Sequence, residues 1–179
     1  MLKKLPGTDA ILSVLAVITT LTYGWTFVAF LWKLPSWLHY LTPSEILSIY
    51  SYSLLTDFSE SILFLALLLF LCLVLPTRLM QEVFILRGTI ISLCILGGLM
   101  FLLEFYINNE VGLIGTLPAW LVILACTFIV LVLLDILSRK IRLISSALTG
   151  LAERLTIFLY INLALSTLAL IVVAVRNLM

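Results

Sequence analysis

Polarity along this chain changes in long blocks. From Ser61 to Pro76 (SILFLALLLFLCLVLP) no charge interrupts the run between Glu60 and Arg78, and Leu and Phe fill most of it. Crossing ~30 Å of hydrocarbon at 1.5 Å per residue takes about 20 apolar residues. Windows of that length predict five spans, at 10–32, 59–76, 88–107, 116–137 and 156–175. The gap 33–58 is the longest between them, so no room is left for a separate soluble domain. Met1-Leu2-Lys3-Lys4 before an apolar run resembles a secretory signal. However, Ile11 to Trp32 is longer than a signal's apolar region, and no A-x-A-like site follows, so it is read as a retained helix.

Composition supports the same reading. Hydrophobic residues make up 64% of the chain and charged ones 11%, against about a quarter charged in soluble domains. The fold class is therefore all-α: a polytopic integral membrane protein forming one transmembrane domain over 1–179. The expected architecture is a compact bundle of about five transmembrane helices, with a short outer interfacial helix and a cytoplasmic helical hairpin or amphipathic turn.

The distribution of charge gives an orientation. With the N-terminus cytoplasmic, Lys3, Lys4, Arg78, Arg87, Arg139, Lys140, Arg142 and Arg154 lie inside, and only Lys33 and Arg176 lie outside. Glu45, Asp57, Glu60, Glu104 and Glu110 then fall outside, with Trp32, Trp37 and Trp120 at outer interfaces. Five spans put the C-terminus outside. The expected location is the cell membrane, and the lack of an N-x-S/T sequon fits a bacterial inner membrane.

Two connections carry structure of their own. Thr42-Pro43-Ser44-Glu45 is a capping box with Pro at the first helical position, which predicts a helix start at Pro43. Run unbroken to Leu75, that helix would be about 50 Å long, beyond one bilayer even when tilted. Residues 43–58 are therefore expected to lie along the outer surface or project from it. Ile46, Leu47, Ile49, Tyr50, Leu54 and Leu55 form the apolar face, with Ser44, Glu45, Ser48 and Ser51 on the rest. In 138–155, a heptad seam runs through Leu134, Leu137, Ile141, Ile144, Leu148, Leu151, Leu155 and Phe158. The chain should reverse near Ser145-Ser146 or Thr149-Gly150. Arg139, Lys140 and Arg142 would belong to a protruding hairpin, to a helix lying on anionic lipid, or to a basic turn that sets topology.

Helix pairs are legible at finer scale. Arg78–Glu82 and Asp135–Arg139 have ion-pair spacing. Gly88-x-x-x-Ser92 and Cys94-x-x-x-Gly98 offer small faces for close packing within the chain or for self-association.

Candidate chemistry is sparse. Cys72, Cys94 and Cys126 sit in separate apolar runs and read as small core residues. There is no HExxH, GxSxG, P-loop or DxD motif, and one histidine with unclustered cysteines cannot furnish a zinc, haem or copper site. No catalytic residue, cofactor or metal is assigned. A formal charge of +1 gives no case for nucleic acid. His39, between Trp37 and Tyr40, reads as a surface residue, with a lone base or axial ligand as the sharper alternative.

Two constellations stand out. The outer carboxylates Asp57, Glu60 and Glu104, with Asn108 one turn after Glu104, would form a cation-binding cluster if their spans neighbour each other, and otherwise solvated charges at helix ends. Inside the spans, Thr19, Thr22, Tyr23 and Thr26 share one helix face, and Asn162 and Ser166 lie one turn apart on the last span. They read as glue between first and last helices, or as the lining of a polar path. Asp135 reads as a charge snorkelling to the cytoplasmic boundary.

The expected function is a non-catalytic accessory or assembly subunit of a membrane complex. Its partners would be the lipid bilayer and other membrane proteins or further copies of itself. The alternative is a small ion or solute transporter or channel with a path lined by Thr, Tyr and Asn. More remote is an enzyme acting on a lipid-linked substrate through Glu60 or Glu104 with His39.

Overall fold

The computed structural model describes residues 5–75, 83–107, 113–140 and 142–178, with side chains left undescribed at 105–107, 113–116, 134–140 and 142–145. Lys3, Lys4, Arg78, Glu82, Asn108 and Glu110 lie outside the described residues, as do the side chains of Asp135, Arg139, Lys140 and Arg142. Expectations resting on those groups fall outside it too.

The described residues form five helices and no strand: α1 (Thr8–Tyr40), α2 (Pro43–Val74), α3 (Phe84–Ile107), α4 (Leu113–Lys140) and α5 (Arg142–Leu178). Four of them, α1, α2, α3 and α5, are long and apolar enough to cross a membrane, and α4 contributes a shorter apolar stretch, Leu117–Leu133.

Only Leu41 and Thr42 separate α1 from α2. Leu41 N donates to Trp37 O at 2.8 Å, closing the last turn of α1. The capping box then opens α2, with Thr42 N donating to Glu45 Oε2 at 2.8 Å and Glu45 N to Thr42 Oγ1 at 3.4 Å. α2 continues without a break to Val74, which corrects the expectation of a separate interfacial helix at 43–58. The reason is packing: Ile46, Ser48, Ser51 and Leu54 are buried against neighbouring helices, whereas Leu47 and Tyr52 are exposed. Ser48 and Ser51, placed by sequence on the solvated side, are small enough to sit inside. Their hydroxyls donate to Ser44 O and Leu47 O, both at 2.8 Å, so burial leaves no proton unbonded.

α1 and α2 form an antiparallel hairpin in a steady register, with Thr22 level with Ser61, Thr26 with Asp57, and the Phe30 ring 4.4 Å from that of Tyr50. At 1.5 Å per residue each helix is about 50 Å long. α1 is the hub, packing against α2, α3 and α5, while α4 leans on α3 and touches α5. One apolar core joins Val14 and Ile18 of α1 to Leu68 and Cys72 of α2 and Phe84, Ile91 and Leu96 of α3.

The small faces of α3 are covered from within the chain. A Cβ added at Gly88 would lie 3.0 Å from Val14 Cγ2, and one at Gly98 would lie 2.9 Å from Ile123 Cγ2 of α4. Ser92 is fully buried and donates to Gly88 O at 2.7 Å.

α5 overturns two further expectations. Ser145, Ser146, Thr149 and Gly150 lie inside this helix, so the chain does not reverse there; α4 ends at Lys140 and α5 starts at Arg142. The buried seam also has a different register. Leu151 and Phe158 are half exposed, whereas Ala152, Leu159, Asn162, Ser166, Ala169 and Val173 face inward at spacings of seven, three and four. Within α5 the buried stripe is thus offset by one residue from the predicted one, because the helix turns that side toward α1 and α2; the predicted seam at 134–144 lies outside the described side chains.

Candidate functional site

The polar residues converge where α1, α2 and α5 meet. On α1, Thr19, Thr22 and Tyr23 are buried and Thr26 is half buried. Facing them are Asp57 and Ser61 of α2 and Asn162 and Ser166 of α5, all buried.

Most of these hydroxyls are held by their own helix. Thr19 Oγ1 donates to Leu15 O at 3.0 Å and Ser61 Oγ to Asp57 O at 2.7 Å, while Ser166 Oγ donates to Asn162 O at 2.8 Å. Three bonds then cross between helices. Thr22 Oγ1 and Ser61 Oγ meet at 3.0 Å, the Tyr23 hydroxyl bonds to Ser166 Oγ, and Thr26 Oγ1 donates to Asp57 Oδ1 at 2.8 Å. Because Ser166 has committed its proton to Asn162, Tyr23 is the donor in their bond. The predicted α1 stripe therefore bonds α5 through Tyr23 and α2 through Thr22 and Thr26.

Asp57 is the exceptional member of this seam. It is only 7% exposed, and among the described residues Asp57 Oδ2 and Thr89 Oγ1 are the buried side-chain oxygens that lack a hydrogen-bond partner. Asp57 also lines a shallow open depression of about 440 Å³, together with Thr26, Ile49, Tyr52, Ser53 and Thr56. At the rim, the Tyr52 hydroxyl donates to Asn177 Oδ1 at 3.2 Å, joining α2 to the end of α5.

The other carboxylates do not share this setting. Glu60 is exposed one turn beyond Asp57, and Glu104 is exposed near the end of α3. Among the described residues no three His, Cys, Asp or Glu side chains are grouped to hold a metal ion. His39 is exposed in the last turn of α1, its ring edge-on to Tyr40. The three cysteines are free thiols, with Cys72 buried, Cys94 intermediate and Cys126 exposed.

Sequence reasoning missed Ser61, Tyr52 and Asn177 as participants. In the sequence Ser61 stands at the edge of a predicted span, and Tyr52 lies on a segment predicted to rest at the outer surface. The available signal was the four-residue step Ser53–Asp57–Ser61, which places all three on one side of a continuous helix. Compared with protein-family models, with curated proteins and with solved structures, the chain has no significant match, so its own residues carry the reading of the seam.

Proposed function

We propose that the chain is a multi-pass protein of the cell membrane in which all five helices cross the bilayer, with the N-terminus cytoplasmic and the C-terminus outside. There it serves as a non-catalytic accessory subunit that assembles with other membrane proteins or with further copies of itself. The observation that carries this reading is how the polar and apolar groups are divided. Seam hydroxyls bond to their own helices or across α1, α2 and α5. In contrast α4 leaves Leu117, Leu121, Val122, Leu124, Phe128 and Ile129 uncovered. Hydrocarbon or another apolar helix is the medium that such a surface suits. Burying hydroxyls between helices favours adhesion, since each side chain stays satisfied as the backbones close.

A transporter is the second reading, and it draws on the unpartnered Asp57 oxygen beside an open depression. The two readings separate in liposomes and in native membranes. The subunit reading expects a cross-linked species larger than the 20.0 kDa monomer, and no flux of ions or small solutes above empty liposomes. A strictly monomeric protein that brings down nothing overturns it, and flux lost on Asp57→Asn establishes the transporter instead. Orientation is tested by accessibility labelling of single cysteines in a cysteine-free background. Trp37→Cys should label from outside and Ala147→Cys only after permeabilisation; labelling of both from one side refutes five crossings.

A further inference from the structure

Asp57 lies one turn before the charge-free run that opens at Ser61, and the fold has taken its carboxyl out of water. Oδ1 accepts one hydrogen bond, from Thr26 Oγ1 at 2.8 Å, and Oδ2 is sealed inside without a partner. An ionised carboxylate offers about four lone-pair sites. Here a single neutral hydroxyl meets them.

No positive charge makes up the difference. The groups around Asp57 are Tyr23 and Thr26 of α1, Tyr50 and Glu60 of α2, and Asn162 and Ser166 where α5 joins the seam. None of these is a cation, and Glu60 adds charge of the same sign. Arg176 of α5 acts on Glu45, three turns away along α2, and Lys33 is exposed on α1 about two turns beyond Thr26. An unpaired charge in such a setting costs far more than a neutral carboxyl with one unmade hydrogen bond. Thr26 donates equally well to the carbonyl oxygen of a neutral acid, so its tie between α1 and α2 survives with the proton on Oδ2. Water also comes within one hydroxyl of the carboxyl, because Thr26 both touches Oδ1 and lines the open depression on α2. A proton can exchange there, while Oδ2 stays closed to anything larger.

We infer that Asp57 is a proton-binding site, held as the neutral acid by the closed seam of α1, α2 and α5, and that its ionisation loosens the contact between α1 and α2. The site follows from helix packing alone and holds whichever way the helices cross a bilayer.

Stability must then fall as pH rises. In the unfolded chain Asp57 ionises near the ordinary value of about 4, whereas the seam keeps the proton beyond it. The folded protein therefore binds one proton more, and stability is lost above about pH 4 until the folded protein ionises as well. Over that window the unfolding constant rises by up to about tenfold per pH unit.

The test combines infrared spectroscopy with thermal unfolding of the purified full-length protein in a non-ionic detergent. At about pH 6, roughly two units above the ordinary Asp value, the spectrum should hold a protonated-carboxyl C=O band that Asp57→Asn removes and Glu60→Gln keeps. Between about pH 5 and pH 8 the wild-type Tm should fall more steeply than that of Asp57→Asn. Should Asp57→Asn fail to fold, Thr26→Val takes away the one donor to the carboxyl, and the band should then persist to a higher pH than in the wild type. A spectrum in which no protonated-carboxyl band responds to Asp57→Asn or Thr26→Val overturns the inference. So does a Tm profile as steep in Asp57→Asn as in the wild type. Neither result alters the reading of helix topology or assembly, which cross-linking and labelling test separately.

Discussion

Thr22 and Ser61 meet hydroxyl to hydroxyl at 3.0 Å across the α1–α2 interface, and Ser61 also donates to the Asp57 carbonyl at 2.7 Å. Thr22 Oγ1 likewise has Ile18 O and Thr19 O of its own helix within 3.2 Å, so both hydroxyls divide their protons between their own helices and the contact across the gap. A double-mutant cycle should isolate that bond. Thr22→Val and Ser61→Ala should each destabilise the protein, with a coupling energy of about 0.6 kcal/mol, the average for hydrogen bonds between helices in membranes. Reversible SDS unfolding followed by helix content measures all four corners. Strict additivity would show that the contact contributes nothing.

Tyr23 and Ser166 should respond unequally. Tyr23→Phe removes the donor and leaves Ser166 bonded to Asn162 O, at a cost of about 1 kcal/mol. Ser166→Ala strands the buried Tyr23 hydroxyl and should cost more, about 1–3 kcal/mol. Combining them should cost no more than Ser166→Ala alone, a ranking the same unfolding assay reads directly.

Thr89 offers a gain. Its side chain is fully buried and Oγ1 has no partner, so the hydroxyl is desolvated without return. Thr89→Val keeps the shape and removes that oxygen, and should stabilise the protein by about 1 kcal/mol. A fall in SDS resistance would mean that the hydroxyl is bonded in the folded protein.

Gly88 sets how closely α1 and α3 approach, since an added Cβ would lie 3.0 Å from Val14 Cγ2. Gly88→Ala should be nearly neutral, because a helix propensity gain of about 1 kcal/mol offsets a slight squeeze on Val14. Gly88→Leu must instead displace Val14 and should cost about 1–3 kcal/mol or more. Adding Val14→Ala should restore part of that loss.

Side-chain periodicity made one half of each contact legible in the sequence. Thr19, Thr22, Tyr23 and Thr26 share a face because three- and four-residue steps return to the same side of a helix, and Asn162 and Ser166 mark an inward side on the last helix. What spacing cannot encode is which helices become neighbours, so Ser61 and Asp57 as partners of Thr22 and Thr26 stayed hidden. α2 shows the complementary limit. Its start was legible in the capping box, but its unbroken length was not, because bilayer thickness was set against a helix that gains burial from Ser48 and Ser51 beyond the apolar run. The α5 stripe was legible in period and wrong in phase, since which side of a helix turns inward depends on the neighbours it packs against, here α1 and α2.

The α1–α2 hairpin is tied together along its length. Its two arms are clamped to each other at Thr22–Ser61, Thr26–Asp57 and Phe30–Tyr50, and the two-residue bend at Leu41 and Thr42 is locked by a capping box. Between Phe30 and the aromatic tip at Trp37 and Tyr40, however, Pro35 brings no N–H to the Leu31 carbonyl. A load on the tip is therefore taken up at Pro35, while the paired arms below it, down to Val14 and Ile18 in the main core, keep their register.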